Sequence, residues 1–134
     1  MYSAIIIDDE EMARALLQGM INEYCKNIQI KDLCKDLPTG VKAIRKHKPD
    51  IVFLDIEMPG HSGLELLDFF DEGEVDFSII FVTAYNNHAI QAFKLSAVDY
   101  LLKPIEVDDL KNAIKLFEKN RTRAKENIAV LRDN

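Results

Sequence analysis

The sequence predicts an α/β domain: a doubly wound, five-stranded parallel sheet, strand order 2-1-3-4-5, with five helices. Short apolar runs alternate five times with helical patterns, the signature of strands joined by crossover helices. The run "IVFL" (51–54) is apolar throughout, which fits a strand covered on both faces. With 134 residues, 48% of them hydrophobic, the chain is in the usual size range of one domain with a proper core.

The first strand is "SAIII" (3–7). In "EMARALLQGMINEY" (11–24), Met12, Ala15, Leu16, Met20 and Ile21 fall near helical spacing, behind an acidic first turn that suits the helix dipole. "IQIKDLC" (28–34) alternates like an edge strand. Thr39 is placed to cap a helix over 40–47, and Pro49 ends it, since the residue before a proline avoids helical angles. "IVFLD" (51–55) is the third strand. The loop "MPGHSG" (58–63) precedes a third helix, "LELLDFF" (64–70). "SIIFVT" (78–83) is the fourth strand, "NHAIQAFKL" (87–95) a short helix and "DYLL" (99–102) the fifth strand. In "VDDLKNAIKLF" (107–117), Leu110, Ala113, Ile114 and Phe117 share one face of a last helix. The stripe then breaks at Arg121 and Ala124 and resumes at Ile128 and Leu131, so 121–134 is expected to be a helical extension or linker behind a domain over 1–120.

A net charge of −6 and a pI near 5.0 argue against a nucleic-acid footprint over the whole surface, which would need Lys and Arg to displace counterions. The basic run "KLFEKNRTRAK" (115–125) is interrupted by Glu118 and is expected to be a solvated helix face. No apolar stretch approaches the roughly 20 residues of a membrane span, and no charged segment leads into an apolar one at the N-terminus. A soluble, cytoplasmic protein with no membrane partner is expected. Cys25 and Cys34 fit no CxxC pattern and are expected to be reduced structural thiols. His47, His61 and His88 show no paired metal spacing and are assigned no role beyond surface positions.

The segment "IIIDDEE" (5–11) raises the functional question, because it runs three isoleucines into four carboxylates. Carboxylates this close raise one another's pKa unless a cation or donors compensate, so they point into water or something positive belongs there. Glu10 and Glu11 suit a helix start. Asp8 and Asp9 end the first strand, Asp55 the third, Thr83 the fourth and Lys103 the fifth. In an open parallel sheet those ends share one rim, and ligands bind where strand order reverses. In the order 2-1-3-4-5, Asp8, Asp9 and Asp55 meet at that crevice. Hard oxygen ligands of this kind suit Mg2+, which takes carboxylates, waters and a substrate phosphate. The Glu57 backbone carbonyl is placed to complete the protein ligands. Thr83 can donate a hydroxyl hydrogen bond, and Lys103 offers a compact charge for a phosphoryl oxygen. No Gly-rich phosphate loop is present, so a small, covalently carried phosphoryl group is expected. Asp55, on the central strand, is placed as the nucleophile that forms an aspartyl-phosphate. Each position alone has an ordinary structural explanation. Their coincidence on one rim, in the types one reaction needs, favours a phosphoryl site.

The motifs "IIIDDE" (5–10), "IVFLDIEMPGHSGLELL" (51–67), "FVTAYNNHAIQAF" (81–93) and "VDYLLKPI" (98–105) resemble those of response-regulator receiver domains of two-component signalling, over about residues 2–120. The resemblance implies a flavodoxin-like fold, with Asp55 as phosphoacceptor, Asp8 and Asp9 as the acidic pair at Mg2+, and Lys103 contacting the phosphoryl group before a cis Pro104. It also implies Thr83 as the switch hydroxyl and Tyr100 as the switch aromatic, with Ala84 a further site residue, while Tyr85 and Glu57 flank the site and tune the phosphoryl lifetime. The implied partner is a sensor histidine kinase. Phosphorylation would alter the surface around the fourth helix, fifth strand and last helix, where Ile90 and Phe93 suggest a homodimer.

The stretch 82–105 is most similar to receivers of LytTR-class transcriptional regulators, whose DNA-binding domain follows the receiver; DNA would be bound only through that domain, absent here. A stand-alone receiver signalling by protein contact is the alternative. A Mg2+-dependent aspartyl-phosphate phosphatase typically needs a DxD arrangement after the first strand, whereas Asp8 and Asp9 are adjacent. The chain is therefore expected to be a phosphoacceptor with self-phosphorylation and dephosphorylation chemistry, not an enzyme.

Overall fold

The computed structural model describes residues 1–85 and 97–133, with side chains through residue 122. Strands β1 (Tyr2–Ile7), β2 (Ile28–Cys34), β3 (Ile51–Leu54), β4 (Ser78–Thr83) and β5 (Asp99–Leu102) form one sheet in the order β2-β1-β3-β4-β5. Every neighbouring pair is parallel. The α-helices among the described residues are α1 (Glu11–Tyr24), α2 (Leu37–His47) and α3 (Val107–Asp133). Sheet and order agree with the sequence-based expectation, but the count of five helices does not hold among the described residues. The segment expected as a third helix is a 3-10 helix at Gly63–Phe69, and the helix expected over 87–95 lies outside the described residues.

Alternation along each strand divides the core in two, because successive side chains point to opposite faces. Ala4 and Ile6 of β1, Ile51 and Phe53 of β3, and Ile80 and Val82 of β4 face one side, where Leu17 and Ile21 of α1 and Leu110, Ala113, Ile114 and Phe117 of α3 cover them. Ile5, Ile7, Val52, Leu54, Ile79 and Phe81 face the other side, under Val41 and Ile44 of α2 and Leu66 of the 3-10 segment. The strand "IVFL" is apolar throughout because both its faces are buried. Strand β2 lies at one edge as expected, but its burial does not alternate throughout: Lys31, Asp32 and Leu33 are all exposed.

Three local expectations need correction. Helix α1 buries Leu17 and Ile21, leaving Met12 85% and Leu16 61% exposed, so the stripe facing the sheet is rotated from the one assigned from spacing. Helix α2 begins at Leu37, not residue 40. Its cap is Asp36, whose carboxylate accepts the Thr39 N–H at 2.9 Å and the Thr39 hydroxyl, with a proline in the first turn. Lys48 in the left-handed region, φ 47°, ends it before Pro49. Helix α3 runs through residue 120 to Asp133, so 121–133 is the helical extension and not a linker, but its basic face is not wholly solvated. Its Arg121 is no solvated bystander: the guanidinium pairs with the Asp50 carboxylate and lies over the Phe117 ring, 5.8 Å from its centroid.

Cys25 and Cys34 are buried free thiols, and burial pushes Cys34 up to about 12, helped by the negative charges of Asp32 and Asp36. His47 and His61 are half-buried; His47 lies 3.7 Å from the Asp32 carboxylate and His61 packs edge-on against Phe69. Among the described residues no helix is long and apolar enough to cross a membrane.

Candidate functional site

Sheet register brings the rim residues together. Ile7 of β1 lies opposite Leu54 of β3, and Leu54 opposite Phe81 of β4. Asp8 and Asp55 thus each stand one residue beyond the same row. The Asp55 N–H donates to the Ile7 carbonyl at 2.9 Å, and the Asp8 N–H to Cys34 at 3.0 Å, extending both ladders to the last residue before the loops. The chain leaves β1 toward β2 on one side and returns as β3 on the other, so the acids sit at the reversal of strand order, where loops diverge and a crevice opens. Just past β5, the Lys103 N–H donates to the Thr83 carbonyl at 2.8 Å, setting its side chain beside the acids.

Asp8, Asp9 and Asp55 each offer a carboxylate oxygen within 4.8 Å of the others. Asp8 and Asp55 are buried, and Asp9 is the solvent-facing member. The Lys103 ammonium lies 2.7 Å from Asp8 Oδ2 and 3.3 Å from Asp55 Oδ2. Among the described residues, Asp55 Oδ1 is buried with no hydrogen-bond partner. Burial pushes the Asp55 carboxyl above its ordinary value; Lys103 pulls it back, Asp8 pushes it further up, and the nearby Thr83 hydroxyl lowers it. Burial lowers the Lys103 ammonium, but its hydrogen bond to Asp8 and the charges of Asp55 and Asp8 outweigh that and leave it raised. One ammonium faces three carboxylates. An all-oxygen donor set with an unsatisfied buried acceptor fits a hard divalent cation such as Mg2+.

Thr83 is fully buried at the end of β4, and its hydroxyl accepts the Tyr85 N–H at 3.4 Å. The Tyr100 hydroxyl donates to the Tyr85 carbonyl, and its ring lies 6.3 Å from that of Phe81. Threonine, loop and aromatic are thereby joined through Tyr85, whose own side chain is exposed, as is Ala84. The Lys103–Pro104 peptide is cis. Glu57, two residues beyond Asp55, has an exposed side chain.

Sequence reasoning missed two residues of the site. Arg14, in the first turn of α1, donates from Nη1 to the Asp8 carbonyl at 2.7 Å. Gly63 packs on the backbone of Asp55 so closely that a Cβ there would lie 2.1 Å from the Asp55 carbonyl oxygen. The glycines of "MPGHSG" were a signal for Gly63, but nothing local marks Arg14. Beside the acids, a groove of about 460 Å³ runs past Asp8, Lys103 and Pro104 to the exposed Met12 and Leu16.

Comparison with known proteins agrees with this geometry. Residues 4–115 match the family described as response regulator receiver domain. The chain is 42% identical over 119 residues to an uncharacterized response regulatory protein of Vibrio vulnificus, covering 89% of this chain and 48% of that one. It is 37% identical over all 134 residues to the transcriptional regulatory protein BtsR of Escherichia coli, covering 54% of it. It thus spans about half the length of these relatives. Among solved structures, response regulator TrrA of Thermotoga maritima, in complex with Mg2+-BeF, superposes with a TM-score of 0.76 at 31% identity, over 87% of this chain and 99% of that one. With its 2-1-3-4-5 sheet, its rim of carboxylates and lysine, and a family match over most of its length, the chain belongs to the response regulator receiver domains.

Proposed function

We propose that this chain accepts a phosphoryl group on Asp55 from a sensor histidine kinase and relays that event to an output. The observation that carries the proposal is Asp55 Oδ1, a buried carboxylate oxygen with no hydrogen-bond partner among the described residues, beside an ammonium that holds Oδ2. Among the described residues no donor satisfies Oδ1 at hydrogen-bond distance, and the Thr83 hydroxyl lies near the carboxyl. In the transfer, the Asp55 carboxylate forms a bond to phosphorus while the P–N bond of a kinase phosphohistidine breaks, and the imidazole nitrogen keeps the electron pair. Lys103 is placed to take a phosphoryl oxygen, and the Thr83 hydroxyl to take another.

Asp8, Asp9, Asp55 and the Glu57 carbonyl would hold Mg2+, which when bound neutralises charge on the transferring group. The groove past Met12 and Leu16 supplies an apolar footing beside the acids for the kinase. Ala84 and Tyr85, exposed beside Thr83, and Glu57 are placed to set the phosphoryl lifetime. Engagement of Thr83 would be felt at Tyr100, since both are bonded to Tyr85. The protein is a phosphoacceptor and not a turnover enzyme, and it acts in the cytoplasm.

For the output, the similarity of 82–105 to LytTR-class receivers, and relatives about twice this length that include a named transcriptional regulator, support a LytTR-type DNA-binding domain in the full-length protein. DNA is then contacted only through that domain.

The test is to incubate wild type and Asp55→Asn with acetyl phosphate and Mg2+ and weigh both by intact-protein mass spectrometry. The wild type alone is expected to gain a phosphoryl group. A gain on both proteins, or on neither, removes Asp55 as acceptor.

A further inference from the structure

We propose that Arg14 is a positioning residue for the cation-binding carboxylates, acting through the peptide that joins Asp8 to Asp9; the inference rests on the phosphoacceptor function above. Arg14 lies in the first turn of α1, three residues after Glu11, where the helix dipole favours acidic side chains and disfavours a cation. A helical side chain leans back toward the helix N-terminus. That direction carries the guanidinium out of its own helix and onto the Asp8 carbonyl, 2.7 Å from Nη1.

Every polar group of Asp8 is engaged. Its N–H donates to the Cys34 carbonyl at 3.0 Å, Oδ1 accepts the Glu10 N–H at 3.0 Å, and Oδ2 accepts from Lys103 at 2.7 Å. Arg14 supplies the remaining bond, and that bond falls on the Asp8–Asp9 peptide. Fixing this carbonyl fixes the plane of the peptide, and so the direction in which Asp9 departs. Arg14 therefore sets Asp9 relative to Asp8 while touching neither carboxylate. Its charge also lies beside a cluster where one ammonium faces three carboxylates. Partners that orient first ligands typically change metal affinity by about ten- to a hundredfold when removed.

The experiment is calorimetric titration of the chain with MgCl2 at fixed ionic strength, for wild type, Arg14→Ala, Arg14→Gln and Arg14→Lys, with metal-free melting curves to establish folding. Arg14→Ala is expected to bind Mg2+ about tenfold more weakly, and Arg14→Lys, which keeps charge and donor, to recover part of that loss. Should Arg14→Ala not fold, Arg14→Gln carries the test and is expected to bind more weakly than wild type. Wild-type Mg2+ affinity in a folded Ala or Gln variant overturns the proposal, as does a Lys variant no better than Ala, which would assign the loss to helix packing. A wild type that takes up no Mg2+ overturns the cation site itself, an outcome separate from a failure of Arg14.

Discussion

Asp55 combines a carboxyl raised by burial with an oxygen that no donor among the described residues satisfies. Buried acceptors without partners are costly, so the site holds free energy that a cation can recover. If Asp9 is a ligand, Mg2+ at about 100 times its Kd adds about 2.7 kcal/mol to stability and raises the melting temperature by several degrees. The Asp9→Asn variant is expected to lose much of that rise, and a thermal melt with and without MgCl2 measures it. An undiminished response would strike Asp9 from the ligand set. Gly63 is the other residue on which the site depends. A methyl group 2.1 Å from the Asp55 carbonyl cannot be accommodated without moving backbone. Gly63→Ala is expected to cost about 1–3 kcal/mol, as overpacking does, and to slow phosphorylation of Asp55. Urea unfolding beside an acetyl phosphate time course tests both, and wild-type values for both would mean the loop gives way freely.

Among the secondary-structure elements, α2 shows how a single side chain sets a boundary. Asp36 accepts from Thr39 through both N–H and hydroxyl, and these bonds hold its carboxyl below the ordinary value. A depressed carboxyl contributes stability that is complete above its unfolded pKa, about 3.9, and is lost as pH falls through the lower folded value. Asp36→Ala is therefore expected to destabilise the domain by about 1 kcal/mol at neutral pH, with the gap to wild type closing in acid. Denaturant titrations at pH 7 and below pH 4 would show it; a gap that persists in acid would mean the cap acts without its charge. Thr39 was the cap expected from sequence, and it serves instead as the donor. The 3-10 segment Gly63–Phe69 is similarly set by its ends: Gly63 donates to the Ile56 carbonyl and Ser62 accepts from Leu64. With its start tied to the loop of Asp55, the segment takes the tighter helix.

For the molecule as a whole, the question is how a change at the rim leaves the domain. Tyr100 and Thr83 meet at Tyr85, and the adjacent surface of β5 and α3 exposes Leu102 and Leu116, 46% and 39% accessible. Ile90 and Phe93, assigned from sequence to the same surface, lie outside the described residues. Phosphorylation is expected to promote a homodimer through this face. Sedimentation with and without acetyl phosphate tests it, and a species that stays monomeric at high concentration in both would rule the dimer out for this chain. Helix α3 continues past the Arg121–Asp50 contact to Asp133.

The alternation of apolar runs and helical patterns determined the sheet, and with it the rim. Once the strands are parallel, their carboxyl ends lie on one side, so Asp8, Asp9, Asp55, Thr83 and Lys103 were legible as neighbours from their positions alone. Periodicity of this kind is local, carried within each segment by how its own residues repeat. What it could not fix is which of two overlapping stripes a helix buries. In α1, Met12 and Leu16 repeat at helical spacing as well as Leu17 and Ile21 do, and only the position of the sheet and α3 selected the second pair. Arg14 was illegible for the same reason, and the glycines of "MPGHSG" marked a turn without showing what Gly63 packs on. Each acts on a residue of another element, Arg14 on the Asp8 carbonyl and Gly63 on that of Asp55. Such contacts exist only after the elements have packed, when an interatomic distance and not a sequence interval determines which groups meet.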